Sequence, residues 1–167
     1  MTSPATHALN TPPWQRVETT MMVAARDIRL AYDNYFEPLD LNLSQASAIG
    51  YVHENGPMTQ TQLAAALVLG KAATGTLVDQ LEARGLVQRV PNPDDRRVWL
   101  VENTDDGAAM AERIVEVDEQ IRTRLRVGIT SAERRQLADL LLRMSSNAKA
   151  AVEDEHNPNK NTQNKNT

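Results

Sequence analysis

Residues 59–101 read TQTQLAAALVLGKAATGTLVDQLEARGLVQRVPNPDDRRVWLV, a sequence that predicts two short helices followed by a β-hairpin. Thr59 and Gln62 form a capping-box pattern, a hydroxyl followed three residues later by a glutamine, which predicts a short helix through Leu67. A tight connection containing a glycine leads into a second helix over about 71–84. Two short helices joined in this way are typical of a helix-turn-helix.

The apolar period then changes from helical to alternating. Residues 87–90 and 98–101 are rich in β-formers, and the polar segment 91–97, PNPDDRR, separates them. Such a pattern predicts a β-hairpin with a charged tip. A helix-turn-helix followed by this hairpin is a winged helix.

Longer helices are predicted on both sides of the winged helix. One apolar stripe runs from Trp14 to Tyr35, and Ser44 is the expected N-cap of the helix after it. Helices are also expected over about 105–126 and after the capping-box pair Thr130 and Glu133. These stripes need a covering surface, and matching stripes of a second copy would supply it. The predicted fold is mainly α: a winged helix-turn-helix with a small β-hairpin wing, and N- and C-terminal helices forming a dimerisation region.

The expected organisation has three parts. Residues 1–12 are polar and aperiodic and are predicted to be a flexible arm, and residues 151–167 are predicted to be a disordered tail. A single domain spans 13–150. Within it, the dimerisation helices occupy 13–40 and 105–150, and the winged-helix lobe occupies 41–103.

Composition excludes several classes of protein. The 167 residues include no cysteine, which excludes disulfides and thiolate metal sites, and the three histidines are too far apart in sequence to suggest a metal site. No catalytic motif is present, so we expect neither an enzyme nor a cofactor. No apolar run is long enough to span a bilayer and no secretory signal is evident, so a cytoplasmic location without membrane attachment is expected.

The charge is unevenly distributed. The net charge is −4, but residues 59–101 contain five Lys and Arg against four Asp and Glu, which leaves +1 there and −5 elsewhere. A nearly neutral segment within an otherwise acidic chain is compatible with DNA binding but does not demonstrate it.

The sequence resembles the MarR family of bacterial transcription regulators over roughly 14–150. The resemblance is carried by the order and spacing of five short pieces: Leu43-Ser44-Gln45, 56–64 (GPMTQTQLA), 81–87 (LEARGLV), 94–97 (DDRR) and 104–107 (TDDG). It implies a homodimer that binds palindromic double-stranded DNA, usually as a repressor. It also implies release of the DNA by a small aromatic or phenolic ligand. In the family, the positions matching Gly75, Thr76 and Gln80 are often Thr, Arg and Arg, so weaker or differently specific DNA binding is expected here.

The second helix of a helix-turn-helix places its N-terminal side chains at base edges in the major groove. Its exposed polar positions are predicted to be Lys71, Thr74, Thr76 and Gln80. Glutamine can read adenine, and threonine can touch a thymine methyl group, whereas Lys71 is expected at a phosphate. The same helix face also includes Ala72 and Gly75.

Three further places complete the predicted DNA-binding set. At the wing, Asp95 is expected to hold an arginine that enters the minor groove, Arg97 rather than Arg96. Thr59 and Gln60 begin the first helix of the motif, whose N-terminus attracts phosphate, although capping alone explains Thr59. Arg84 fits equally a DNA-backbone contact or neutralisation of its helix C-terminus.

Four residues are candidate members of a ligand cleft by resemblance: Trp14, Arg26, Tyr51 and His53. For each, an ordinary place in the core or at an interface explains the residue as well or better. The nearly neutral recognition helix also leaves a second function open, a winged-helix interaction or small-ligand-binding protein with weak DNA affinity.

Overall fold

The computed structural model describes residues 12–156, with side chains to residue 153. These residues form two compact units, one ending at Leu125 and one beginning at Arg126. The first unit contains five helices and three strands within the described residues: α1 (Val17–Phe36), α2 (Leu43–Asn55), β1 (Met58–Thr59), α3 (Gln60–Leu67), α4 (Lys71–Ala83), β2 (Val87–Pro91), β3 (Trp99–Asn103) and α5 (Asp105–Leu125). Short 3-10 turns lie at Pro13–Gln15 and Glu37–Leu39. The second unit contains α6 (Ser131–His156).

Helix α1 is largely uncovered within this chain. Its one fully buried residue is Phe36, which ends the helix just before Pro38. Most of the stripe from Trp14 to Tyr35 is exposed or half-buried, and Trp14 itself, in the preceding 3-10 turn, is 74% exposed. The apolar pattern was therefore sufficient to predict a helix, but this chain alone does not bury it.

The N-cap predicted for α2 is wrong. Asn42, not Ser44, has the extended backbone that an N-cap requires, and its Oδ1 accepts a hydrogen bond from the Gln45 backbone N–H at 3.0 Å. The Gln45 Oε1 accepts one from the Asn42 N–H at 3.1 Å, which completes a capping box. Ser44 lies inside the helix, where its Oγ accepts from Arg29.

The helix-turn-helix forms as the sequence predicted. Thr59 caps α3 through reciprocal bonds with Gln62, and Val68 turns the chain in a left-handed conformation before α4. The two helices enclose Leu63, Val78 and Leu81, each essentially without solvent exposure. Gly85 follows α4 with a φ of 70°, the conformation expected of a C′ glycine.

The wing is part of a three-stranded antiparallel sheet in the order β1-β3-β2. Strands β2 and β3 pair from Val87 with Asn103 to Pro91 with Trp99, which confirms the predicted hairpin. The two-residue strand β1, which pairs Met58 with Val101, was not predicted because it is too short to show an alternating pattern.

Helix α5 is joined closely to the start of the wing. The Thr104 hydroxyl accepts from the Gly107 N–H, as expected of a cap, and donates to the Gly85 carbonyl at 2.6 Å. Gly107 is buried so tightly that an added Cβ would lie 1.9 Å from the Leu86 carbonyl oxygen. A glycine is therefore required where α5 crosses the backbone before β2.

Helix α6 begins with the predicted Thr130–Glu133 capping box and continues to His156. Residues 151–156, which we expected to be disordered, are therefore helical, since Ala150, Ala151 and Glu153 continue a run of good helix formers. The remainder of the predicted tail and residues 1–11 of the predicted arm lie outside the described residues. The division into dimerisation helices and a winged-helix lobe stays a prediction.

Across residues 12–156 no single helix has the length and apolar composition of a membrane span. Helices α3 and α4 meet these criteria only when taken together, and they are bent by 106° at their junction.

Candidate nucleic-acid interface

Helix α4 presents a small polar face to solvent. Lys71, Ala72, Thr76 and Gln80 are exposed, as expected of side chains that meet DNA. The prediction for Thr74 is wrong: it is 0% exposed, and its hydroxyl donates to the Gly70 carbonyl at 3.0 Å. Thr74 lies one helical turn before Val78 and so shares the core-facing side of the helix.

Gly75 makes room for a contact between α3 and α4. The Gln60 Nε2 donates to the Lys71 carbonyl at 3.2 Å, and a Cβ at position 75 would lie 3.1 Å from that nitrogen. The side-chain amide of Gln60 therefore ties the start of α3 to the start of α4. Gly75 contributes by the absence of a side chain rather than by a contact of its own.

Gln80 has a partner outside its own helix. Its Oε1 accepts a hydrogen bond at 3.2 Å from the Nε2 of Gln45, the third residue of α2 and the partner of Asn42 in its capping box. Thr76, one turn earlier, bonds only within α4, since its hydroxyl donates to the Ala72 carbonyl at 3.2 Å. The Thr76 side chain is therefore exposed and bonded within its own helix, whereas a side chain of α2 orients the Gln80 amide.

The wing tip holds one arginine in a defined position. The Asp95 carboxylate accepts from both Nε and Nη2 of Arg97 at 3.1 Å, and its Oδ1 also accepts from the Arg97 backbone N–H. The side-chain hydrogen bonds from Arg97, followed by the backbone bond, lower the pKa of Asp95 below its usual value. The Arg97 side chain remains 91% exposed, so the pair orients the guanidinium without covering it. Arg96 beside it is exposed as well.

Two other arginines of the segment are held in contacts within the fold. Arg84 donates to the Asp40 carbonyl at 2.5 Å and pairs with the Asp40 carboxylate at 3.4 Å. To contact a DNA phosphate or the C-terminus of its own helix, Arg84 would have to give up this pairing with Asp40. Arg89 in β2 forms ion pairs with Glu82 and Asp79 of α4 and joins the recognition helix to the wing.

The outward positive charge of the interface is therefore small. Of the five basic residues in 59–101, Lys71, Arg96 and the oriented Arg97 are exposed without a side-chain partner on another described element of the fold, while Arg84 and Arg89 pair with acidic residues of other elements. Each lysine or arginine that meets a phosphate makes binding more salt-dependent. A surface with three such residues per chain implies a modest electrostatic contribution from each copy.

A second feature of the first unit is a cavity of about 460 Å³ between α1, α2 and α5. Phe36, Tyr51 and Ile114 form part of its walls. Its polar side is a network in which the Tyr32 hydroxyl donates to Asp118 at 3.1 Å, and Arg122 pairs with the other oxygen of Asp118 at 2.7 Å. Burial, followed by the Asp118 charge, raises the pKa of Tyr32 above its ordinary value.

Of the four candidate ligand residues, Tyr51 lines this cavity and the other three do not. Trp14 and His53 are exposed, and Arg26 pairs with Asp27 on the surface of α1. The polar side of the cavity, formed by Tyr32, Asp118 and Arg122, was not predicted from the sequence. The i,i+4 spacing of Asp118 and Arg122 was a local signal for an ion pair, but their contact with Tyr32 joins residues 86 positions apart and has no such signal.

Among the described residues, no group of three His, Asp or Glu side chains is arranged to hold a metal ion.

Comparison with known proteins finds sequence matches over the helix-turn-helix and the wing. The model of the MarR family matches residues 39–98. The multiple antibiotic resistance protein MarR of Salmonella typhimurium is 35% identical over 81 residues, which are 48% of this chain and 56% of that protein. The HTH-type transcriptional repressor NicR of Pseudomonas putida is 33% identical over 56% of this chain and 59% of that protein. The chain thus aligns with a little over half the length of these curated relatives.

Solved structures extend the likeness to the longer helices. A mutant MarR of E. coli in complex with operator DNA has a TM-score of 0.72 and 25% identity, over 77% of this chain and 93% of that one. BpsR of Bordetella bronchiseptica, whose DNA binding is regulated by 6-hydroxynicotinic acid, has a TM-score of 0.71 and 26% identity, over 77% of this chain and 92% of that one. The matches agree on one family: residues 39–98 match the model of the MarR family, and the chain is similar to MarR structures across the winged helix and the flanking helices.

Proposed function

We propose that this protein is a DNA-binding transcription regulator in which α4 enters the major groove and the wing tip enters the adjacent minor groove. The observation that supports the proposal is that the first unit exposes two surfaces suited to DNA, one on α4 and one at the wing tip. Helix α4 presents Thr76 and Gln80, and the hairpin tip presents Arg97 in an orientation fixed by Asp95. Hydrogen-bonding side chains suit base edges, and an oriented arginine suits the negative potential of a narrow minor groove.

The proposed active species is a homodimer. Helix α1 leaves Met22 and Leu30 more than half exposed, and in the second unit α6 leaves Leu137 and Leu142 at least half exposed. Apolar helix faces of this extent are typical of helices covered by another chain. A two-fold dimer would present two α4 helices to successive major grooves, about 34 Å apart, and would select palindromic DNA.

Sedimentation equilibrium tests the dimer directly. The wild-type protein is expected at twice the chain mass, and Leu142→Glu is expected to raise the dissociation constant of the dimer at least tenfold. Ala138→Glu adds the same charge at an exposed position of α6 that lacks a large apolar side chain and serves as the matched control. A wild-type protein that sediments as a monomer at micromolar concentration refutes this part of the proposal.

DNA binding is tested by selecting duplexes from a random library with the purified protein and measuring affinity for the enriched site at two salt concentrations. We expect a palindrome, with Thr76→Ala reducing affinity by about 5- to 150-fold, the discrimination of a good base contact. Thr123→Ala is the matched control, because Thr123 on α5 makes the same bond to the carbonyl four residues earlier, at 2.8 Å.

The salt dependence examines the wing. Arg97→Ala is expected to lower the slope of log affinity against log salt by about one for each arginine lost from the interface. Arg113→Ala removes the same charge from α5, outside α4 and the wing, and should leave the slope unchanged. Failure of the wild-type protein to enrich any duplex at low salt overturns the proposal.

The regulator is further proposed to be a repressor that releases DNA when a small aromatic or phenolic ligand occupies the α1–α2–α5 cavity. The P. putida relative is named a transcriptional repressor, and the B. bronchiseptica structure concerns regulation by 6-hydroxynicotinic acid. A cavity of about 460 Å³ with apolar walls and convergent polar groups suits a molecule of this size. Arg122 supplies a positive charge at the polar side.

Ligand release is tested with 6-hydroxynicotinic acid as the probe, by its ability to displace the selected duplex. We expect Tyr51→Ala to weaken displacement at least tenfold, because Tyr51 lines the cavity. His53→Ala, two residues along the same helix and outside the lining, is expected to respond like wild type. Equal loss in both variants, or in neither, contradicts the assignment of the cavity.

A second function is favoured by one observation, the small number of outward basic residues on α4 and the wing. A winged helix with this surface would serve as a ligand-binding or protein-binding module with weak DNA affinity. The same selection experiment separates the two functions, because only a DNA-binding regulator enriches a palindrome with salt-dependent affinity.

A further inference from the structure

Two side chains and one backbone group form a chain of hydrogen bonds from α2 to α4. The Asn42 backbone N–H donates to the Gln45 Oε1 at 3.1 Å. The Nε2 of the same Gln45 donates to the Gln80 Oε1 at 3.2 Å. Gln80 is exposed on α4, on the face proposed to meet the bases.

The direction of this series of hydrogen bonds is fixed by its first donor, the Asn42 backbone N–H. A backbone N–H can only donate, so the Gln45 amide must turn its oxygen toward Asn42. Its NH₂ group then faces Gln80, and an NH₂ group can only donate as well. The Gln80 amide is therefore held with its oxygen toward α2 and its NH₂ group on the other side.

We propose that Gln45, which lies outside the recognition helix, determines which base Gln80 prefers. The proposal rests on the proposed DNA-binding function, since it concerns how one base pair is read. A glutamine reads adenine by accepting from N6 and donating to N7, so the order of oxygen and nitrogen along its amide decides which base edge fits. Gln45 fixes that order and acts as a specificity-determining residue through Gln80.

The substitution Gln45→Glu is expected to reverse the positions of the donor and acceptor groups of the Gln80 amide while keeping the capping box of α2. A glutamate at this position still accepts from the Asn42 N–H, and it is a favoured residue of a capping box. Its carboxylate cannot donate, so the Gln80 amide is expected to turn its NH₂ group toward α2 and its oxygen toward the DNA.

The chain provides a matched control at Gln62. Gln62 is the partner of Thr59 in the capping box of α3 and accepts from the Thr59 N–H at 2.8 Å, as Gln45 accepts from Asn42 in α2. Gln62→Glu therefore makes the same chemical change, with the same added charge and the same preserved cap. Gln62 has no hydrogen bond to Gln80, so the donor and acceptor order of Gln80 is left as it is.

The experiment selects duplexes from a random library with the wild-type protein, Gln80→Ala, Gln45→Glu and Gln62→Glu. Gln80→Ala identifies the base pair in each half-site that depends on Gln80. At that pair, Gln45→Glu is expected to change the preferred base, with a shift of about 5- to 150-fold in relative affinity between the old and new bases. Gln62→Glu is expected to retain the wild-type base, although both added charges weaken binding overall.

The outcomes separate the inference from the proposed function. A wild-type palindrome whose Gln80-dependent base pair is unchanged in Gln45→Glu, or changed equally in Gln62→Glu, overturns the inference alone. It is overturned as well if Gln80→Ala alters the preference at no base pair. A wild-type protein that enriches no duplex refutes the proposed function and the inference together.

Discussion

Replacement of Gly107 by alanine probes the junction between the wing and α5. A Cβ at this position would lie 1.9 Å from the Leu86 carbonyl oxygen and 2.9 Å from its carbon. Both are backbone atoms, which cannot rotate away as a flexible side chain would. The start of α5 must therefore move away from the backbone that precedes β2.

The cost follows from the contacts that this movement breaks. Overpacking costs about 1–3 kcal/mol. The Thr104 N–H to Leu86 and Thr104 hydroxyl to Gly85 hydrogen bonds, at 3.2 and 2.6 Å, contribute about 1 kcal/mol each. Alanine returns about 1 kcal/mol as the better helix former. We expect Gly107→Ala to lower the free energy of unfolding by about 2–4 kcal/mol.

Urea unfolding followed by circular dichroism measures this change, with all proteins at one concentration so that association is held constant. Gly50→Ala is the matched control, because it places the same methyl group in α2 where no atom lies within 4 Å. It is expected to raise stability by up to about 1 kcal/mol. Equal stability of the two variants would refute the close crossing at Gly107.

Three further predictions concern single side chains. Thr74→Ala should lower the free energy of unfolding by about 1–2 kcal/mol, because it removes a buried methyl group and a hydrogen bond. Thr76→Ala should change the free energy of unfolding by less than about 0.5 kcal/mol, because Thr76 is exposed. Similar urea midpoints for the two variants would contradict the burial of Thr74. Because the folded pKa of Tyr32 is raised, its contribution to stability is complete below the ordinary tyrosine pKa of about 10 and is lost as pH rises through the folded value. The stability difference between wild type and Tyr32→Phe should therefore shrink as pH rises above about 10, and a constant difference would contradict the burial of the Tyr32 hydroxyl beside Asp118. In gel-shift titrations of the selected duplex, Asp94→Asn should strengthen DNA binding by removing a negative charge, whereas Asp95→Asn should not, because it also releases Arg97; equal gains would show that the Asp95–Arg97 pair does not position the arginine.

The features that sequence predicted well are local. The capping boxes at Thr59 and Thr130 and the hairpin over 87–101 depend on residues only a few positions apart, and the structure has all of them. The N-cap of α2 was equally local and was still missed, although Asn42 and Gln45 show the same three-residue spacing. Serine is a favoured N-cap residue, so residue type alone points to Ser44, whereas the spacing to Gln45 points to Asn42.

The errors in the site arose from two causes. The polarity of Thr74 predicts an exposed side chain, whereas its spacing from Val78 and Leu81 places it on the buried side of α4. Contacts such as Gln45 with Gln80 and Tyr32 with Asp118 join residues 35 and 86 positions apart. No local pattern predicts such pairs, because they depend on how the helices pack.

Dimethyl sulfate footprinting of the selected duplex reports on both proposed DNA contacts at once, because the reagent modifies guanine N7 in the major groove and adenine N3 in the minor groove. A dimer that reads DNA with α4 and the wing should protect guanine N7 in two segments about 10 base pairs apart, centre to centre, and adenine N3 beside each of them. Adenine protection should be lost in Arg97→Ala while guanine protection remains. A single protected segment, or protection of the minor groove alone, would contradict a dimer that reads DNA with α4 and the wing.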